Sequence, residues 1–292
     1  MAEIAKQPPN RLNVYDVVGA IAETPEYTRN RRIGYSTQRA FARTALELSG
    51  MDRRTKYEDE YELDTKSATR ESALNAMVGS LDSFVYGYEG MRHNNTIEQQ
   101  SRRAFHSFKK RMARFNHATK ALIDSDPTVE FGSVSATILD LYGVFNRERW
   151  HSDAAGYKQE ASDFKKQIEG VLRGMYQEVA AVRIIEALRE NGTDISVNPH
   201  VSAEEDMNGA DLLVTLDGVT FPVDIKASAR SVRSSRERSK HPRAIITTGI
   251  PAPRSGDSFE ISPDAARAVA DRMLSNLYAA RTEFLAAKSN QG

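Results

Sequence analysis

The chain has 292 residues, room for about two domains. Its 40% hydrophobic and 27% charged residues are typical of a folded soluble protein and not of a disordered chain. It contains no cysteine, which excludes disulfides, thiolate zinc sites, iron–sulfur clusters and cysteine nucleophiles. The 40 Lys and Arg residues balance 40 Asp and Glu residues, and zero net charge does not by itself favour a nucleic-acid binder.

The first half of the chain is predicted to be nearly all helical. Apolar spacing predicts helices over about 14–21, 36–49, 68–86, 96–123 and 133–145. Ser36 or Thr37 is the expected N-cap of the second helix, and Thr69 that of the third. The charged stretch 146–158 is predicted to end this all-α region, so the expected domains are 1–158 and 159–292.

The second half changes to an α/β pattern. A helix is predicted over about 160–190, and a last helix over 263–288 begins at Ser262-Pro263. Between them the expected strands are 194–201, 210–216, 219–228 and 244–250. This order predicts a mixed central sheet flanked by helices.

No segment of the chain looks like a targeting or membrane segment. The N-terminus lacks a basic stretch followed by an apolar one, and no apolar run approaches the ~20 residues of a membrane span. We therefore expect a cytoplasmic protein that does not contact a membrane. The histidines show no zinc spacing, and no phosphate-binding glycine loop is present, so His-metal nucleases and ATP-driven motors are not indicated.

Asp217-Gly218 between two alternating apolar runs predicts a hairpin with a two-residue type I′ turn. The turn sets the register: Leu216 opposes Val219, and Asp211 opposes Asp224. Opposed residues have Cβ atoms about 4.5–5.5 Å apart, so two such carboxylates repel each other. A hard divalent cation between them would make the pair favourable.

Lys226 is expected on the same strand face as Asp224, because side chains alternate along a strand. The competing interpretation is a solvated hairpin face with both side chains in water. Upstream, Glu178 falls at helical spacing from Val171, Met175, Val182 and Ile185, which places it on an apolar stripe. A carboxylate there is costly unless it is paired or coordinated, although one at the edge of the stripe can reach water.

The order of these acidic residues resembles the motif of the PD-(D/E)XK nuclease superfamily. That motif has a glutamate on a helix, an aspartate on a strand and a later Asp-x-Lys, which correspond here to Glu178, Asp211 and residues 224–226. The resemblance covers about residues 165–252 and has Gly209-Ala210-Asp211 where that family has Pro-Asp. It implies a restriction-endonuclease-like fold with an α-β-β-β-α-β core.

The resemblance also implies site roles. Asp211 and Asp224 would hold Mg²⁺, for which Mn²⁺ can substitute, with the Ile225 carbonyl as a further ligand. Lys226 would position or deprotonate the attacking water, and Glu178 would complete the metal shell or orient Lys226. Gln177, beside Glu178, is given no role.

Two basic segments fit a DNA substrate. Residues 227–256 carry seven basic residues against one acidic residue, and residues 92–123 carry eight against one. The candidate DNA contacts are Arg230, Arg233, Arg236, Arg238, Lys240 and Arg243 after the hairpin, and Arg103, Lys110 and Arg114 in the helix. Each segment has an alternative interpretation: residues 227–256 as a solvated loop, and residues 92–123 as a helix with a charged face in solvent.

The sequence therefore predicts a Mg²⁺-dependent DNA endonuclease, with restriction-type cleavage as its most natural biology. The resemblance implies a homodimer, since such enzymes often cut two strands. Two alternatives stay open: a non-catalytic DNA-binding or assembly protein with a nuclease-like fold, and an enzyme of this fold acting on RNA.

Overall fold

The computed structural model describes residues 14–50, 52–53, 61–62, 69–93, 98–145, 154–199, 201, 209–226, 232 and 244–289. The chain divides into two compact units. The first contains residues 1–169 with 255–258, and the second contains residues 170–254 with 259–292.

The first unit is mainly helical. Its helices are α1 (Val14–Ala22), α2 (Pro25–Arg32), α3 (Thr37–Leu48), α4 (Arg70–His93), α5 (Glu98–Ser125), α6 (Phe131–Phe145) and the first part of α7 (Ala154–Glu190). A two-residue antiparallel ladder joins β1 (Asp52–Arg53) and β2 (Tyr61–Glu62). The sequence did not predict this ladder, because two residues are too few to show strand alternation.

Capping residues set several of these helix starts. The Ser36 side chain accepts a hydrogen bond from the Arg39 N–H, and Thr69 accepts one from the Ser72 N–H, which confirms both predicted caps. Helix α2 was not predicted, although Thr24 caps it in the same way and Pro25 occupies its first position.

An aromatic cluster lies in the core of this unit. The Phe84 and Phe115 rings stack with centroids 5.0 Å apart, and the Tyr142 and Phe164 rings stack at 4.2 Å. Phe84 and Phe164 lie 6.0 Å apart and join the two pairs. Phe115 and Leu122 are fully buried, so this part of α5 faces the core.

The second unit is mixed α/β. Its four-stranded sheet has the order β3 (Ile195–Asn198), β4 (Leu212–Leu216), β5 (Val219–Ile225) and β6 (Ala244–Ile246), and α8 (Pro263–Ser289) packs on it. The first three strands are antiparallel, and β6 runs parallel to β5. The start of β4 and the ends of β5 and β6 therefore lie at one edge of the sheet.

The β4–β5 hairpin follows the predicted geometry. Asp217 and Gly218 have φ values of 47° and 71°, as a type I′ turn requires. The ladder pairs Leu216 with Val219 and Leu212 with Val223, so the predicted register is confirmed over that range. The apolar face of the hairpin is buried, and the ring centroids of Phe221 and Phe284 of α8 lie 6.1 Å apart.

Among the described residues, no helix combines the length and apolarity that a membrane crossing requires.

Candidate functional site at one edge of the sheet

Asp224 is a buried carboxylate near the end of β5. It is 1% exposed, and its side chain forms an ion pair with the ammonium group of Lys226. The interpretation of this strand end as a solvated face is therefore wrong at Asp224. The Lys226 side chain is 30% exposed. The backbone N–H of Lys226 donates to the Ile246 carbonyl at 2.8 Å, which fixes the Lys226 backbone beside β6. The pair thus has one buried end and one end open to solvent.

Asp211 precedes β4 and leaves the regular ladder. Its N–H donates to the Val223 carbonyl at 2.8 Å, and its carboxylate accepts the Ile225 N–H at 2.7 Å. The ladder ends at Leu212 and Val223, so the predicted direct pairing of Asp211 with Asp224 is not part of it. The reason is local. In an uninterrupted ladder the Ile225 N–H would donate to a backbone carbonyl of the opposite strand, but here it donates to the Asp211 carboxylate instead.

The electrostatics of Asp211 show which charged groups surround it. Burial raises its pKa well above the usual range for an aspartate, and the Glu178 and Asp224 charges raise it further. The Lys226 charge and the hydrogen bond from the Ile225 N–H act in the opposite direction. The structure therefore places Glu178, Asp224 and Lys226 within electrostatic reach of Asp211.

Glu178 reaches this site from α7. Along the same face Met175 and Ile185 are buried, while Val171 and Val182 are half-buried, as Glu178 is. Glu178 therefore lies at the margin of the apolar stripe, with part of its side chain in contact with water. This position lets its charge act on Asp211 without full desolvation of the carboxylate.

Gln177 is the buried polar residue that the sequence analysis left without a role. It is 1% exposed, and its amide nitrogen donates to the Ile250 carbonyl at 3.1 Å. The Thr248 hydroxyl donates to its amide oxygen and also accepts the Ile250 N–H at 3.1 Å. These bonds tie the α7 turn that carries Glu178 to the chain just after β6.

The donor set can be compared with what a metal ion requires. Within the described residues, no group of three or more His, Asp or Glu side chains is close enough to hold a metal ion. Asp224 on β5 and Asp211, directly before β4, still offer two carboxylates whose repulsion a divalent cation would relieve. Mg²⁺ usually keeps several waters and uses one or two carboxylates plus substrate phosphates. The residues present are compatible with that mode of binding.

The predicted DNA contacts lie largely outside what the structure describes. This applies to the residues between β5 and β6, which are Arg230, Arg233, Arg236, Arg238, Lys240 and Arg243. Arg103 and Lys110 belong to α5, but their side chains are outside the description. Arg114 is described and half-buried on α5. These contacts remain predictions.

Known proteins provide no assignment for this site. Comparisons of the chain with protein-family models, with curated proteins and with solved structures gave no match. The chemistry inferred below rests on the residues and contacts described above.

Proposed function

We propose that this chain is a Mg²⁺-dependent endonuclease that hydrolyses DNA phosphodiester bonds through a PD-(D/E)XK-like site. The observation that carries the proposal is the grouping of two aspartates with Lys226 and Glu178: Asp211 accepts the Ile225 N–H, Asp224 pairs with Lys226, and the Glu178 charge acts on Asp211. The element order supports it in part: a helix, three antiparallel strands and a fourth strand parallel to the third occur in the order expected for the restriction-endonuclease-like core. The segment between β5 and β6, where that core has its second helix, lies largely outside the described residues. Restriction-type cleavage by a homodimer is the biological form that we propose.

Asp211 and Asp224 would hold the magnesium ion, with the Ile225 carbonyl as a third protein ligand. When bound, the ion supplies positive charge to the scissile phosphate and lowers the pKa of an attacking water. Asp224 lies on β5, and Asp211, directly before β4, is held to the same strand by its hydrogen bonds with Val223 and Ile225, so backbone contacts keep both aspartates near the end of β5.

Lys226 supplies the positive charge of the site. Its ammonium group pairs with the buried Asp224 but is partly exposed, so it can contact a phosphate at the sheet edge. There it orients the attacking water and offsets charge that develops on the phosphate oxygens. Glu178, on the facing helix turn, orients Lys226 or a water bound at the site.

A second function is favoured by one specific observation. The ion pair of Lys226 with Asp224 compensates the buried carboxylate without any metal. Such a site suits a non-catalytic DNA-binding or assembly protein that keeps the fold of a nuclease. The two functions differ in whether removal of a site carboxylate changes phosphodiester cleavage or only stability.

Plasmid nicking tests the proposal. Supercoiled DNA is incubated with the wild type, Asp211→Asn and Lys226→Ala, each with Mg²⁺ and with EDTA. We expect metal-dependent nicking by the wild type and its loss in both variants. Absence of nicking by the wild type on several DNA substrates would refute the endonuclease, and equal nicking by the variants would refute the site. An RNA substrate run in parallel shows whether RNA is cut instead.

A further inference from the structure

A third basic segment lies in the first unit, although the net charge of the whole chain is zero. Residues 27–46 contain five arginines and no acidic residue. Unlike the two basic segments already identified, its side chains are described throughout. The segment forms most of α2, the turn that follows and most of α3.

Tyr35 and Glu47 gather four of these arginines into one cluster. The Arg39 and Arg43 guanidinium groups both lie 5.1 Å from the centre of the Tyr35 ring. Arg31 donates to the Tyr35 carbonyl at 2.7 Å. Arg29 and Arg43 donate to the Glu47 carboxylate, at 2.7 Å and 3.1 Å. The cations are therefore held together and are not scattered around the helices.

Hydrogen bonds from a buried side chain join the two helices that carry this cluster. The buried Asn30 amide donates to the Thr44 hydroxyl at 3.0 Å and to Glu47 at 3.2 Å, which fastens α2 to α3. Gly34, with a φ of +92°, makes the turn between the two helices. Positive groups held in place lose less conformational entropy when they bind a ligand.

The outer face of the segment is open to solvent. Arg29, Arg31, Arg32 and Arg39 are exposed, and Arg43 is half-buried. The turn residue Ile33 is 60% exposed beside them. Residues 26–47 contain five arginines and two glutamates, a net charge of +3, so the acidic partners do not neutralise the surface.

We propose that this arginine cluster, Arg29, Arg31, Arg39 and Arg43, together with the adjacent exposed Arg32, binds the phosphate backbone of duplex DNA. Guanidinium groups match phosphate geometry through paired N–H donors. The aromatic ring at its centre is covered by two guanidinium groups and so does not offer the stacking platform that single strands require. The proposal takes its ligand from the proposed function, since it assigns part of the substrate contact to the first unit.

Salt-dependent DNA binding by the full chain tests the cluster. Fluorescence anisotropy with a random-sequence 30-base-pair duplex, in EDTA so that no cleavage occurs, gives the dissociation constant between 50 and 300 mM salt. Arg31→Ala/Arg32→Ala removes two exposed charges that make no side-chain pair with Glu47. We expect weaker binding and a log–log salt slope lower by about two, since each phosphate contact contributes about 0.9.

Matched variants separate a contact surface from a general charge effect. Lys165→Ala/Lys166→Ala removes two exposed charges from α7 of the same unit and should leave the slope unchanged. Arg31→Lys/Arg32→Lys should restore the wild-type slope, and thermal melting shows that each variant is folded. An unchanged slope in the arginine variant, or an equal drop in the lysine control, overturns the proposal.

Two further outcomes are informative. Tighter binding to single-stranded DNA or RNA, with the arginine effect seen there, overturns the assignment to duplex DNA. Metal-dependent nicking, measured separately, reports on the proposed function. A protein that binds DNA through the cluster but does not nick it would refute the nuclease and leave the binding surface intact.

Discussion

The buried amide of Gln177 gives the sharpest prediction for the structure around the candidate site. In Gln177→Leu the side chain keeps a similar volume and loses both of its polar atoms. Two buried groups then lose partners: the Ile250 carbonyl loses its donor, and the Thr248 hydroxyl loses its acceptor. Each buried group left unsatisfied costs about 1–3 kcal/mol, so the variant should lose about 2–6 kcal/mol of unfolding free energy.

Urea denaturation followed by far-UV circular dichroism, in EDTA, measures this loss. The matched control is Gln159→Leu on the same helix, whose exposed amide bonds only Asp163 and should change stability by less than about 0.5 kcal/mol. Adding Thr248→Val to Gln177→Leu should cost less than the two single losses together, because both remove the same bond. A loss below about 1 kcal/mol, or one equal to the control, would refute the bonded, buried position of Gln177.

Two further predictions concern the hairpin. Burial and the charges of Glu178 and Asp224 raise the pKa of Asp211. The folded chain therefore binds the Asp211 proton more tightly than the unfolded chain does. As a result, the folded chain loses stability as pH rises through this raised pKa. Urea titrations in EDTA should therefore show that Asp211→Asn is more stable than the wild type at pH 8, and that this difference in unfolding free energy vanishes towards about pH 4. A difference that is constant with pH, or reversed in sign, would contradict the raised pKa of Asp211. Gly218→Ala should cost about 1 kcal/mol, because its φ of 71° is strained for any side chain, and an unchanged urea midpoint would contradict the type I′ turn.

Much of the hairpin could be predicted because its determinants are local. A two-residue turn with alternating runs on both sides fixes which residues oppose each other, and the register from Leu212 to Val223 follows. The break at Asp211 could not be predicted in this way. It depends on a side chain that competes for the Ile225 amide, and alternation of residue types carries no sign of that competition.

The parts that the sequence did not reveal depend on distant partners. Gln177 bonds residues more than 70 positions along the chain, so nothing near it marks it as a core amide. The arginine cluster was missed for a different reason. Its charges are spread over two helices, and only the contacts with Tyr35 show that they converge. Helix α2 could have been found, since Thr24-Pro25 is a helix-start signal.

We propose that Asp224 belongs to a metal-dependent cutting site. The single-turnover rate of DNA cleavage as a function of Mg²⁺ tests this for the wild type, Asp224→Asn and the hairpin-turn control Asp217→Asn. We predict that the wild type and the turn control cleave with the same metal dependence. Asp224→Asn should lose at least about a hundredfold in rate, as expected when a metal ligand worth several kcal/mol is removed. Cleavage by Asp224→Asn at the wild-type rate, or cleavage by the wild type that does not depend on the metal, would contradict it.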